Sequence, residues 1–211
     1  MTGLFITLEG GDGVGKSTQS ALLRGWLEEQ GREVVPTREP GGTELGAEIR
    51  EMVLHRRGHI APRAEALLYA ADRAHHVDVV VRPALERGAV VVQDRYLDSS
   101  VAYQGAGRVL DAEEVRGLSL WAAQGLLPDL TVLLDLDQAS ARSRLDASRT
   151  RFDRLESERA EFHERVRRAF LALAEAEPGR FLVVDASLPR EEISERIRDR
   201  AATLLATGAR A

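Results

Sequence analysis

An α/β fold around a five-stranded parallel sheet, with helices on both faces, is what this sequence predicts. Five short apolar runs alternate with helical stretches, the order that builds parallel sheets. The runs are continuously apolar rather than alternating, as expected of strands covered on both faces. The first of them leads into a glycine-rich turn that opens a helix.

Taken in order, Leu4 to Glu9 reads as a buried strand and Gly10 to Gly15 as the turn. Ser17 to Gln30 reads as a helix, with Leu22, Leu23, Trp26 and Leu27 at helical spacing and Gly31 just past its end. Glu33 to Pro36 is a second strand, Arg38 to Gly42 a turn, and Thr43 to His55 is helical. Pro62 suits a first helical position, and Pro83 breaks or kinks the segment that follows. Ala89 to Asp94 is the third strand. Asp111 and Glu114 form a capping box for a helix reaching Ala123. Leu130 to Leu134 is the fourth strand, and Ala139 to about Glu177 is helical with an interruption near Ser148 to Arg154. Phe181 to Val184 is the fifth strand, and Pro189 to Leu205 a closing helix, with Thr207 to Ala211 expected to fray.

The 211 residues are 44% apolar, enough for one ordinary domain with a real core. Zero cysteines exclude disulfides, thiolate metal sites and cysteine nucleophiles. A net charge of −5 argues against a protein that coats nucleic acid. No apolar run approaches ~20 residues, so no membrane span is expected, and Leu4 to Leu8 is too short for a signal peptide. A cytoplasmic globular protein without nucleic-acid or membrane partners is the resulting expectation. Of the 29 basic residues only Lys16 is a lysine, and asparagine is absent. A GC-rich genome explains this bias; thermal adaptation is the weaker alternative.

That single lysine sits in Gly10-Gly11-Asp12-Gly13-Val14-Gly15-Lys16-Ser17, which matches the Walker A pattern between a strand and a helix. Glycines let the backbone fold closely round phosphates so that successive amides point inward. The helix start adds its positive dipole end. Lys16 is placed to reach the terminal phosphates and Ser17 to hold a magnesium ion, with Thr18 completing the phosphate-binding set. A carboxylate is also needed beside the metal. Asp94 follows the third strand and Asp135 and Asp137 follow the fourth; both places satisfy the rule that ligands sit outside the carboxyl ends of strands.

Four further segments are legible together: Thr37 to Thr43 (TREPGGT), Ala71-Asp72-Arg73, Asp94-Arg95-Tyr96, and Ser99 to Gly105 (SSVAYQG). With the phosphate loop they resemble the bacterial thymidylate kinases, in order and over nearly the whole chain. The resemblance implies a P-loop NTPase fold with a small helical lid, and transfer of the ATP γ-phosphoryl to dTMP with Mg2+ as cofactor. It also implies a homodimer, for which Val77 to Val81 and Leu118 to Ala123 offer apolar stretches.

The resemblance further assigns roles. Arg95 holds the acceptor phosphate, and Asp94 serves the magnesium or its waters, which favours it over Asp135. An arginine fork suits phosphate because it donates two parallel hydrogen bonds. Tyr69 lies against thymine, where most of the family has Phe, and Arg73, one helical turn on, donates to a thymine carbonyl. Ser100 and Gln104 satisfy the ring N–H and carbonyls, with Ser99 and Tyr103 beside them. Arg38, Glu39 and Arg50 surround the acceptor phosphate and sugar, and Asp12 contacts the sugar or orders magnesium waters. The stretch Ser148 to Glu156 resembles the lid, within about 146–157. The cradle lacks an arginine, so the lid is expected to supply one: Arg149 first, then Arg151 and Arg154. Adjacent His75 and His76 point about 100° apart on a helix and are not read as a metal pair. A kinase for another monophosphate and a nucleotide-gated switch are the rival functions.

Overall fold

The structure, a computed structural model, describes residues 3–56, 58–108, 110–148 and 153–207. The strands are β1 (Leu4–Glu9), β2 (Val34–Arg38), β3 (Val90–Asp94), β4 (Leu130–Asp135) and β5 (Phe181–Asp185). They form one sheet in the order β2-β3-β1-β4-β5, with every pairing parallel. The five expected strands are all present, each within two residues of its expected end.

β1 lies at the centre and all six of its residues are buried. Leu4, Ile6 and Leu8 pack with Leu23 and Leu27 of α1 (Lys16–Glu29) and with Ile193 and Ile197 of α9 (Arg190–Thr207). Phe5 points the other way, into a cluster with Val81, Leu85, Val91 and Tyr96. Thr7 shares that second face and meets Thr131 of β4, Oγ1 to Oγ1, at 3.0 Å. Opposite faces of one strand therefore enter separate cores, which explains the absence of alternation.

The helices between show where propensity and packing differ. Thr43 caps α2 (Glu44–Arg50), accepting from the Gly46 amide, and the helical path widens into π-type turns at Glu51–His55. α3 (Pro62–His76) runs through a second widened stretch, Val77–Val81, into α4 (Arg82–Glu86). Pro83 falls in the first turn of α4, where a missing N–H costs least, so the helical path continues. α5 (Leu97–Ser100) and the widened turns at Val101–Gly107 have no amphipathic signature because Val101, Ala102, Tyr103 and Gln104 are all buried. α6 (Ala112–Ala122) begins at Asp111, whose carboxylate accepts from the Glu113 and Glu114 amides.

α7 (Gln138–Ser148) and α8 (Ala160–Ala176) flank the expected interruption, and α8 starts later than expected. The Asp153 side chain accepts from the Leu155 and Glu156 amides and fixes a turn there. In the two stretches expected at an interface, Val77, Val81, Ala122 and Ala123 are buried, while Val79 and Trp121 are exposed, at 46% and 78%. Val77 and Val81 are buried because they fill the Phe5 cluster. No helix among the described residues is long and apolar enough to cross a membrane.

Candidate active site

The central strand delivers the glycine-rich loop to the carboxyl edge of the sheet. Gly10, Gly13 and Gly15 have φ of 128°, 81° and 100°, which side chains rarely tolerate. At Gly13 a Cβ would also stand 2.5 Å from the Ala141 carbonyl, so the loop is wedged against α7. Val14 buries its side chain in the core and offers only backbone. The Lys16 ammonium curls back to donate to the carbonyls of Gly10 (3.2 Å) and Gly11 (2.6 Å). Burial, then the neighbouring Arg95, lowers its affinity for a proton.

β3 ends beside the loop, with Asp94 paired in register with Leu8 on one side and Arg38 on the other. Arg95 leaves the strand with φ 65°, a left-handed conformation unusual for a side-chain-bearing residue. That turn aims its guanidinium back over the loop. Nη1 donates to the Gly10 carbonyl (3.0 Å) and Ser99 Oγ (3.1 Å), and Nη2 to Asp12 Oδ1 (2.5 Å) and the Tyr103 hydroxyl (3.2 Å). Burial opposes the ionised form of Asp12, but Arg95 and Lys16 outweigh it and hold the carboxyl well below the usual range.

The candidate carboxylates are separated by their surroundings. Asp135 is gripped by both arms of Arg167, at 2.7 and 2.9 Å, and Asp137 accepts from the Ser140 amide. Among the described residues, Asp94 Oδ1 is buried with no hydrogen-bond partner, and Asp94 lines the same cavity as Ser17. A buried, uncompensated carboxylate oxygen is costly unless something cationic meets it.

A cavity of about 570 Å³ opens beside this loop. Lys16, Ser17 and Thr18 line it together with Arg38, Arg50, Asp94, Arg95 and Ser99 and with Tyr69, Arg73, Ser100 and Gln104. Gly10, Gly11 and Val14 border a smaller cavity behind the loop. Arg50 donates to the Pro40 carbonyl at 3.0 Å; burial, then the nearby Arg38, lowers its proton affinity.

Arg73 is only 2% exposed and every nitrogen is engaged: Nε with Glu39 (2.9 Å), Nη1 with Ser119 Oγ (3.1 Å) and Nη2 with Ser100 Oγ (3.1 Å). The other Glu39 oxygen meets His76 Nδ1 at 3.0 Å, and His76 Nε2 meets Thr37 Oγ1 at 2.7 Å. Glu39 thus anchors the arginine, and both of its oxygens are occupied by protein. His76 fixes the junction of β2 and α3. Gln104 donates from Nε2 to Glu65 Oε1 at 2.9 Å. The expected lid arginines Arg149 and Arg151 lie outside the described residues. Arg154 donates to the Val53 carbonyl at 2.8 Å and forms an ion pair with Glu65.

Glu9, Glu65 and Ser119 were not anticipated by sequence reasoning, and His76, set aside as a metal ligand, serves Glu39 instead. Glu9 ends a buried strand and accepts from the Tyr96 amide (2.7 Å), the Ser99 amide (3.3 Å) and Ser99 Oγ (2.6 Å). Burial, and then Asp98, pushes its carboxyl up to about 7. A carboxylate inside an apolar run was the available signal, since a buried charge demands partners. Glu65, one turn before Tyr69, shares its helix face. Nothing local marks Ser119.

A family model described as thymidylate kinase matches residues 8–197. Over the full length of both proteins, this chain is 84% identical to a protein named thymidylate kinase from Clavibacter michiganensis subsp. michiganensis and 83% identical to one from Clavibacter sepedonicus. A thymidylate kinase of Bifidobacterium longum subsp. infantis is 56% identical, over 97% of this chain and 88% of its own. Phosphate loop, strand-end arginine and family model converge, and this chain belongs to the thymidylate kinase family.

Proposed function

We propose that this chain transfers the γ-phosphoryl group of ATP to dTMP, giving ADP and dTDP for dTTP biosynthesis. The observation that carries the reading is that the Lys16 loop, Arg95 and the Tyr69–Arg73–Gln104 set line one and the same cavity. An aromatic ring, a fixed donor and an amide are what recognition of one base requires.

Phosphoryl transfer asks the protein for positioning and charge, with little covalent chemistry. The ammonium of Lys16 moves from the Gly10 and Gly11 carbonyls to the β- and γ-phosphates. Arg95, with Arg38 and Arg50 near it, holds the acceptor phosphate in line. That phosphate is already ionised at neutral pH, so no side chain need act as base. Asp12 keeps the Arg95 fork in place and faces the acceptor sugar. Tyr69 covers the thymine, Arg73 donates to a carbonyl oxygen, and Ser99, Ser100, Tyr103 and Gln104 complete the acceptor site.

The unpartnered Asp94 oxygen and the Ser17 hydroxyl fit a hydrated magnesium ion, and these two residues are read as its holders. When bound, magnesium offsets charge on the donor phosphates. Residues 1–211 are read as one kinase domain, because every strand joins one sheet. Segment 146–157 is its lid, and Arg149 or Arg151 is the residue that reaches the transferred group. A cytoplasmic homodimer is the state the family resemblance supports, with the exposed Val79 and Trp121 as available surface.

The test is a coupled assay of ADP production over dTMP, dUMP, dCMP, dAMP and dGMP, with and without magnesium. Turnover that requires dTMP and magnesium supports the reading. ADP release indifferent to the acceptor contradicts it.

A further inference from the structure

Glu65 touches no expected substrate atom, yet it stands between two parts of the site. It is 1% exposed on α3, one turn before Tyr69. Its Oε1 accepts from Gln104 Nε2 at 2.9 Å and lies 3.5 Å from Arg108 Nε. Its Oε2 is paired with Arg154, and Arg154 also donates to the Val53 carbonyl.

A carboxylate can only accept hydrogen bonds, whereas a glutamine amide carries an accepting and a donating end. Glu65 accepts from the NH2 end of Gln104 with one oxygen and from Arg154 with the other, so the NH2 end is the one turned to it. The carbonyl end is then left for the cavity that Gln104 lines. An acceptor at that point matches a base whose ring nitrogen carries hydrogen, such as N3 of thymine. It mismatches cytosine, whose N3 carries a lone pair. Arg154 pairs with Glu65 and fixes it in a buried place where a lone charge would be costly.

We infer that Glu65 is a positioning residue for base selection: its carboxylate sets the orientation of the Gln104 amide, and so determines that a pyrimidine with a protonated N3 is accepted. The inference rests on the reading of Gln104 as a base contact.

In Glu65→Gln one accepting oxygen remains. Arg154 claims it, because Arg108 still has Glu158 at 2.6 Å. The new NH2 then faces Gln104, whose carbonyl must turn toward it, and a donor enters the cavity. The experiment measures kcat and KM for dTMP and for 5-methyl-dCMP, which keeps the methyl group and alters the N3 edge. It uses the unmodified chain, Glu65→Gln, Gln104→Met and the double variant.

Glu65→Gln is expected to narrow the preference for dTMP by about tenfold, one lost and one mismatched hydrogen bond, through KM rather than kcat. Gln104→Met narrows it as well, and the double variant is no worse than Gln104→Met alone. Equal losses on both acceptors in Glu65→Gln, or losses that simply add in the double variant, overturn the inference. An unchanged preference in Gln104→Met overturns the base-contact reading beneath it.

A second measurement needs no variant at position 65. The side-chain amide protons of Gln104 are identified by NMR from their loss in Gln104→Met. They are expected to exchange slowly and to shift little when dTMP is added, because they face Glu65. Rapid exchange with a large shift places them in the cavity and overturns the inference.

Discussion

Asp12 and Arg95, 83 positions apart, meet at 2.5 Å across the mouth of the phosphate loop. The loop residue steadies the guanidinium, and the guanidinium keeps the loop residue charged. Four of the hydrogen bonds made by Arg95 depend on its planar fork reaching two directions at once. A lysine carries the same charge on a single point. Arg95→Lys is therefore expected to lower kcat/KM for dTMP by about 10²–10³, the usual loss when one oriented donor to a reacting phosphoryl or oxyanion is removed. Steady-state kinetics with thermal melting as a control checks this, since the melt should move little.

Arg73 has a structural task as well as a recognition task. The sequence suggests that Arg73→Ala harms acceptor recognition above all. In the structure its loss removes the charged partner of one oxygen of the buried Glu39 carboxylate and leaves only the His76 contact to the other. Breaking such a pair costs about 3–5 kcal/mol, so Arg73→Ala should lower the melting temperature by roughly 10 °C. Pairing it with Glu39→Gln should recover part of that loss without restoring dTMP binding. Calorimetric melting of both variants, with dTMP titration, separates the two tasks.

Glu9 makes stability fall as pH rises. Its folded pKa, pushed up to about 7 by burial and Asp98, exceeds its ordinary value of 4.5. The folded chain therefore holds a proton there that the unfolded chain releases. The resulting stabilisation is complete below pH 4.5 and is lost as pH climbs through 7. Asp72, raised to about 6 by burial and Glu39, adds in the same direction. Asp12 titrates far lower and does not contribute in this window. Between pH 5 and 8 the decline should be on the order of 1 kcal/mol or more. In Glu9→Gln the slope should flatten. Melts at several pH values decide, and a slope identical in both proteins removes the assignment.

Gly13 sets the shape of the loop. With φ 81° and the Ala141 carbonyl where a Cβ would sit, Gly13→Ala has no strain-free conformation. ATP affinity should drop at least about tenfold, since strain of 1–3 kcal/mol falls on the binding conformation. Fluorescent-nucleotide titration measures this directly. Affinity for dTMP should change far less, because Tyr69 and Arg73 stand on α3.

The fold was legible because its signals are local. Continuous apolar runs mark buried parallel strands, and Pro62, Asp111 and the glycine turn mark helix starts. α5 was not legible, since a helix buried on all sides shows no stripe. The widened turns at Val77–Val81 and Val101–Gly107 have no composition of their own. In the site, Lys16, Arg95 and Tyr69 stand in recognisable segments. The residues that hold Arg73, Gln104 and Ser99, namely Ser119, Glu65 and Glu9, stand in other segments of the chain. Their partners are defined by packing alone, as with Ser119 and Arg73, 46 positions apart.

The most direct test follows the phosphorus atom. Purified chain is incubated with ATP labelled at the γ-position, magnesium and dTMP, and products are separated after a single turnover. Label in the β-phosphate of dTDP, equal to the ADP formed and absent with Lys16→Ala, is the predicted result. Label released as inorganic phosphate, with none in dTDP, contradicts transfer within the shared cavity.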